Sequence, residues 1–117
     1  MDVQMDLYDR YVLAGAQLEA EQPIEAARTL EPARDELPVS GLLLLARSYF
    51  ASAQLGRARD VLTRVVDLDP SDDWARTALS RVEERRGDRV AALQHARVAA
   101  ALSPRPEHTE RVAALDA

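Results

Sequence analysis

Histidine, serine and carboxylate side chains are the groups of this chain that could do chemistry. The two histidines, His95 and His108, have no Glu or Asp arranged around them as in an HExxH metal site, so we expect both at the surface. No serine lies in a GxSxG setting, and the four glycines form no phosphate-binding loop. We therefore predict that the chain has no catalytic residues and is not an enzyme.

Aspartates are densest just before and after Pro70, at Asp67, Asp69, Asp72 and Asp73. A calcium loop needs a glycine turn and a distant bidentate Glu, and Pro70 interrupts the spacing. Solvation and capping of helix ends explain these aspartates better. Because the chain also has no cysteine, we expect no metal site and no cofactor.

Composition and charge exclude further classes of function. The net charge of -5 opposes binding to phosphate backbones, so we expect no nucleic acid as a partner. No apolar run reaches the length of a membrane span, and the first ten residues carry three Asp where a signal peptide would be basic. All basic residues are Arg, which fits a GC-rich coding bias. We expect a cytoplasmic bacterial protein with no membrane partner.

Apolar residues recur at three- and four-residue intervals, which is the period of a helix. Breakers separate six such segments and a shorter seventh. The first segment spans about residues 6–20, and the second begins at residue 23. The next four span about residues 39–53, 55–68, 71 or 72 to 86, and 88–103. The seventh spans about residues 106–115. Pro32 lies inside the second segment, where it removes a backbone hydrogen bond and predicts a kink near Arg28.

The third pair of helices repeats the second at a period of 34 residues, with Leu45 recurring as Leu79 and Pro70 as Pro104. In the middle pair Leu42, Leu45, Ala46, Tyr49, Ala58, Leu62 and Pro70 have the spacing of a known motif. This pattern resembles the tetratricopeptide repeat family, with Leu replacing the opening aromatic residue and Ala46 replacing Gly. Six small residues fall where paired helices approach closely: Ala14, Ala26, Ala46, Ala58, Ser80 and Ala92.

The resemblance implies an all-α fold, an α-solenoid of three helical hairpins closed by a C-terminal capping helix. We expect a single domain over residues 1–117, with repeats at about 7–38, 39–72 and 73–106 and the capping helix at about 106–115. The first repeat is two residues short, and we place the shortening at Leu37 to Val39.

The resemblance also implies a function, because the first helix of each hairpin in this family lines a concave face that holds peptides or partner helices. We predict a protein-interaction scaffold whose partner is a protein or peptide, acidic and partly apolar. The concave candidates carried over by register are Tyr8, Tyr11, Leu18, Leu43, Arg47, Phe50, Trp74, Thr77, Arg81 and Arg85. Aromatic and Arg residues of this kind carry binding hot spots.

Two alternatives stay open at this point. The aromatic residues Tyr8, Phe50 and Trp74 could instead pack between neighbouring repeats or under the terminal helix. The stack could also serve as a structural homo-oligomer, or as a fixed subunit of a larger complex, through its apolar faces and last helix.

Overall fold

Residues 5–117, as described by a computed structural model, contain seven α-helices, one short 3₁₀ helix and no strand. In chain order the helices are α1 Leu7–Glu19, α2 Pro23–Leu30, the 3₁₀ helix Glu31–Glu36, α3 Val39–Ala51, α4 Leu55–Leu68, α5 Asp73–Arg86, α6 Arg89–Leu102 and α7 Pro106–Asp116. The predicted all-α class is confirmed. No helix in this range is long and apolar enough to cross a membrane.

Aspartate side chains cap the N-termini of three helices. The Oδ1 atom of Asp72 accepts a hydrogen bond from the backbone N–H of Ala75 at 3.0 Å, and Asp88 caps Ala91 at the same distance. Asp6 caps Asp9 in the same way. Such a bond satisfies one of the amide groups that the first helical turn leaves without a partner. The aspartates near Pro70 thus include a helix cap, as the sequence predicts.

The turns inside the three hairpins have the same backbone geometry. Each contains one residue with positive φ: Glu21 at 60°, Ala53 at 59° and Gly87 at 89°. The next residue in each turn donates its N–H to a carbonyl five residues earlier, at 2.8 Å in all three cases. This is the closing bond of a Schellman motif, which glycine forms most easily. Only the third turn has glycine, so Glu21 and Ala53 hold strained conformations.

Pro32 ends α2 rather than kinking it. The α-helix stops at Leu30, and the chain continues as the 3₁₀ helix, so the expected kink near Arg28 is replaced by a change of helix type. A 3₁₀ helix rises about 2.0 Å per residue, so six residues span about 12 Å, as far as about eight α-helical residues. Residues 23–36 nevertheless match α4 in length, whereas the loop that follows, 37–38, is shorter than the loop 69–72 after α4. The two-residue shortening therefore lies in the loop, as the sequence predicts.

The chain divides into two compact units, one reaching Ala58 and the other Arg59–Ala117, and the division falls within α4. The prediction of one domain stays a prediction. In the first unit α2 packs against both α1 and α3. Tyr49 is buried and donates its hydroxyl to Glu31 Oε1 at 2.8 Å. Burial, and secondly this bond, raise the pKa of Tyr49 to about 12.

In the second unit α6 packs against both α5 and α7. Ser80 is fully buried and donates its hydroxyl to the carbonyl of Ala92 at 2.7 Å, a close contact that only a small side chain allows. Ala92, Ala96 and Leu115 form an apolar cluster between α6 and α7. The six small residues predicted at close helix approaches are all buried: Ala14, Ala26, Ala46, Ala58, Ser80 and Ala92.

Candidate partner-binding site

A cleft of about 460 Å³ lies between α1 and α3 in the first unit. Tyr11, Leu18 and Arg47, three of the predicted binding residues, line it together with Leu44. Gly15 and Ala16 leave room for it because their side chains are absent or small. The structure therefore brings together an aromatic ring, two aliphatic side chains and a guanidinium group. We call this the α1–α3 cleft.

Glu19 and Arg47 are the charged residues that line the α1–α3 cleft, and Arg47 has no internal role. Its side chain is exposed, and it forms no hydrogen bond or ion pair with any residue from 5 to 117. Arg10, by contrast, donates to the carbonyl of Thr29 at 2.7 Å, and Arg57 reaches Glu31. A guanidinium group without an internal partner keeps all five N–H donors for a ligand.

Tyr8 lies outside the α1–α3 cleft. It lines a more apolar groove of about 390 Å³ with Leu7, Tyr11, Leu37 and Pro38, at the start of α1 and α3. The Tyr8 side chain is 74% exposed, so Tyr8 does not pack between repeats. Leu43 and Phe50 are half-buried and line neither of these cavities.

A cleft of about 470 Å³ lies between α5 and α7 in the second unit. We call it the α5–α7 cleft. Trp74, Thr77 and Arg81 from the predicted set line it, whereas Arg85 is exposed and does not. Residues of α7 form the opposite wall of this cleft. The sequence predicted α7 only as the helix that closes the end of the repeat stack.

Trp74 is 67% exposed and stands at one end of the α5–α7 cleft. The Arg105 guanidinium lies 5.5 Å from the centre of its ring, within cation–π range. Arg105 also forms an ion pair with Asp73 at 2.7 Å, which fixes the guanidinium against the ring. The indole therefore presents its remaining surface to solvent in a defined orientation.

Thr77 lines the α5–α7 cleft at its buried floor rather than at its rim. It is only 9% exposed, and its hydroxyl lies 3.3 Å from His108 Nε2, so it belongs to the floor of the cleft. His108 is 6% exposed, and its Nδ1 lies 2.8 Å from the carbonyl of Ser103. The prediction that this histidine is at the surface is wrong, because α7 folds it inward against α5.

His95 is half-buried between α5 and α6, with its Nδ1 atom 3.3 Å from Nη1 of Arg76. Burial, and secondly the positive charge of Arg76, lower the pKa of His95 below its usual 6.5. The expected surface position is therefore wrong for this residue as well. Among residues 5–117, His, Asp and Glu side chains form no group that could hold a metal ion.

Residues of the charged run Glu83-Glu84-Arg85-Arg86 hold structural contacts. Glu83 is buried and accepts from Arg86 at 3.0 Å, and Glu84 accepts from Arg111 of α7 at 3.1 Å. Arg111 also donates to Ser80 at 3.0 Å. These contacts hold α7 beside α5.

Residues 39–82, which include α3 and α4, match the model of the tetratricopeptide repeat family. The match confirms the resemblance where the sequence motif is best preserved. No curated protein matches the chain.

Solved structures match the fold over nearly the whole chain. SycD of Yersinia enterocolitica, in complex with a peptide of the translocator YopD, has a TM-score of 0.84 at 16% identity, covering 99% of this chain and 97% of that chain. PcrH in complex with the chaperone binding region of PopB has a TM-score of 0.78 at 16% identity, covering 99% and 98%. MamA has a TM-score of 0.84 at 16% identity over 91% of this chain, which spans 64% of MamA. At 16% sequence identity, these similarities show that this chain shares the fold of the three proteins.

Proposed function

For a chain that carries tetratricopeptide repeat sequence at residues 39–82 and has the helical-repeat fold, we propose a role as a protein-interaction module. Its α1–α3 cleft binds a peptide or partner helix that is acidic and partly apolar. Tyr11 and Leu18 contact the apolar part of the partner, and Arg47 binds a carboxylate. The chain performs no catalytic step in this role.

The observation that carries this proposal is the exposed Arg47 in a cleft that Tyr11 and Leu18 also line, with no internal hydrogen bond or ion pair among the described residues. A guanidinium group can grip a carboxylate through two parallel hydrogen bonds, and such bonds are stronger than neutral ones. The ligands in two similar structures, a YopD peptide for SycD and the chaperone binding region of PopB for PcrH, support a peptide as the ligand class.

The test is selection of binders from a random twelve-residue peptide library, followed by titration of one selected peptide against variants. A hydrogen bond between charged groups contributes about 1.5–3 kcal/mol, so Arg47→Glu should weaken binding by about 10-fold to 100-fold or more. Folding should be unchanged, because Arg47 is exposed and forms no hydrogen bond or ion pair with residues 5–117. Circular dichroism and the urea midpoint check this.

Arg28→Glu is the matched control, since it makes the same charge change in the same unit at an exposed side chain outside the cleft. Its surface ion pair with Glu25, at 3.6 Å, contributes at most about 1 kcal/mol to stability. Equal affinities for wild type, Arg47→Glu and Arg28→Glu would remove Arg47 from the site. A library that yields no binder would contradict the proposed function itself.

A homo-oligomer is the second candidate, and the apolar groove of Leu7, Tyr8 and Tyr11 favours it. Exposed apolar surface of this kind is typical of protein interfaces. Light scattering over a concentration series separates the two functions, because the homo-oligomer predicts a mass that rises with concentration and falls again for Tyr8→Glu. Peptide binding by a constant monomer supports the interaction module.

A further inference from the structure

A stripe of exposed residues along α6 contains no charged side chain. Its members recur at intervals of three or four residues, so they share one face of the helix. They are Val90, Gln94, Val98, Ala101 and Leu102. Val90 is 70% exposed, and only Gln94 is polar. We call this the α6 stripe.

The corresponding residues in the second helices of the other two hairpins are charged at several positions. At the 34-residue period, α4 carries a charge at three positions of the stripe: Asp60, Arg64 and Asp67. One repeat earlier, the first hairpin also carries a charge at three of them: Arg28, Asp35 and Glu36. The α6 stripe therefore differs from the ordinary solvent-facing side of a repeat in this chain. Exposed apolar surface of this kind is typical of protein interfaces.

The absence of charge restricts what can cover the α6 stripe. A partner surface with Lys, Arg, Asp or Glu would bury those charges against apolar side chains, which is costly without ion-pair partners. Gln94 adds a second condition, because it is exposed and forms no hydrogen bond or ion pair with residues 5–117. A wholly apolar surface would remove its amide from water and leave it without a partner. The covering surface must therefore be uncharged and must offer one polar group to Gln94.

A second copy of the chain meets both conditions. It brings the same uncharged stripe, and in a two-fold dimer with parallel α6 helices each residue lies opposite its own counterpart. The two Gln94 amides then face each other, and each can donate to and accept from the other. An antiparallel pair with Val90 opposite Leu102 would instead place Gln94 against Val98. The amide thus favours the parallel arrangement.

The charges beside the α6 stripe do not oppose this pairing. Arg97 borders the stripe and forms an ion pair with Asp116 of its own chain at 3.5 Å, so the two charges offset each other. Arg89 donates to the carbonyls of Leu115 and Ala117 at 2.9 Å and 3.1 Å, which holds its guanidinium at the end of α7. Repulsion between two copies at this face is therefore small.

We propose that two copies of this chain associate through the α6 stripe with their α6 helices parallel. Val90, Val98 and Leu102 pack against the same residues of the second copy, and the Gln94 amides hydrogen-bond to each other. One pair of fourteen-residue helices makes a small interface. Small interfaces are transient, so we expect a dissociation constant on the order of ten micromolar or weaker.

This dimer goes beyond the proposed peptide binding and does not depend on it. No residue of the α6 stripe lines the α1–α3 cleft or the groove at the start of α1. All five residues of the stripe are exposed in the single chain, so their replacement should leave the helicity of the monomer unchanged. Association and folding can therefore be measured separately.

Analytical ultracentrifugation of the full chain tests the dimer between about 1 μM and about 1 mM protein. The mass of wild type should rise from that of one chain to twice that value. Leu102→Glu should weaken association by more than about 10-fold, because two carboxylates would be buried without partners. Leu68→Glu is the matched control, since it makes the same change at an exposed leucine of α4 in the same repeat position. It should associate like wild type.

Cysteine cross-linking tests the parallel arrangement, because the chain has no cysteine of its own. Val90→Cys should form a disulfide-linked dimer in oxidised glutathione, since the two thiols lie side by side in the parallel dimer. An antiparallel pair predicts fast cross-linking only in a mixture of Val90→Cys and Leu102→Cys. Leu68→Cys gives the rate of random collisions, which Val90→Cys should exceed by at least about 10-fold.

The outcomes separate this dimer from the functions proposed above. A mass that stays monomeric up to about 1 mM refutes the dimer. Equal association of Leu102→Glu and Leu68→Glu also refutes it, and if Tyr8→Glu abolishes that association, the groove at the start of α1 is the interface. Cross-linking only in the mixture overturns the parallel arrangement. Arg47→Glu tests peptide binding by itself, and Leu102→Glu should bind the selected peptide as wild type does.

Discussion

Replacing His108 by Ala tests how α7 is held, and the structure gives the magnitude. The carbonyl of Ser103 can only accept, so Nδ1 of His108 donates to it at 2.8 Å. In the neutral ring Nε2 then accepts from the Thr77 hydroxyl at 3.3 Å. His108→Ala removes both bonds and the packing of a nearly buried ring.

Each lost hydrogen bond lowers the free energy of unfolding by about 1 kcal/mol, and a buried hydroxyl left without a partner adds a further cost. Loss of ring packing adds to this, as in other large-to-small changes. We expect His108→Ala to lower the free energy of unfolding by about 2–4 kcal/mol. Urea denaturation followed by circular dichroism measures it.

Two conservative variants show how much of the lost stability comes from each of the two His108 hydrogen bonds. His108→Asn keeps a donor near the position of Nδ1, and His108→Gln places a polar group near Nε2, so each should recover part of the loss. Gln94→Ala, at an exposed residue of α6, is the control and should change stability by less than about 0.5 kcal/mol. A midpoint for His108→Ala equal to that of the control would refute the reasoning.

Two other predictions concern the turns and the pH dependence. Ala53→Gly should raise the free energy of unfolding by about 0.5–1 kcal/mol, because glycine adopts the positive φ without strain. Gly87→Ala should lower the free energy of unfolding by about 1 kcal/mol for the converse reason. Urea denaturation measures both, and midpoints equal to that of wild type would show that these turns are not strained. Because the pKa of His95 is lower in the folded chain than its usual 6.5, the unfolded chain binds the proton more tightly. Stability should therefore fall as pH drops through 6.5 towards the lowered pKa, and His95→Gln should decline less over that window.

The helical hairpins could be predicted because their signals are local. Period, caps and breakers lie within a few residues of the structure they determine, and α4 begins and ends at the predicted Leu55 and Leu68. The six small residues are buried as the motif predicts. Pro32 was recognised as an interruption, but the sequence predicted a kink where the structure has a 3₁₀ helix.

The site could be predicted only in part, because it depends on contacts between distant helices. Register on α5 identified Trp74 and Arg81, but nothing in the sequence shows that His108 folds against Thr77, 31 residues away. For the same reason the sequence did not identify Glu110 of α7, which also lines the α5–α7 cleft. The spacing of Arg105, His108 and Arg111 along one side of α7 was the available signal.

The polar contacts between α5 and α7 explain how a cleft can persist between two neighbouring helices. The residues of α5 that contact α7 are Asp73, Thr77, Ser80 and Glu84, whereas the residues 34 positions earlier are Val39, Leu43, Ala46 and Phe50. Apolar contacts are non-directional and can slide closer until space is filled. Hydrogen bonds weaken steeply when their angles change, so this row fixes the position of α7.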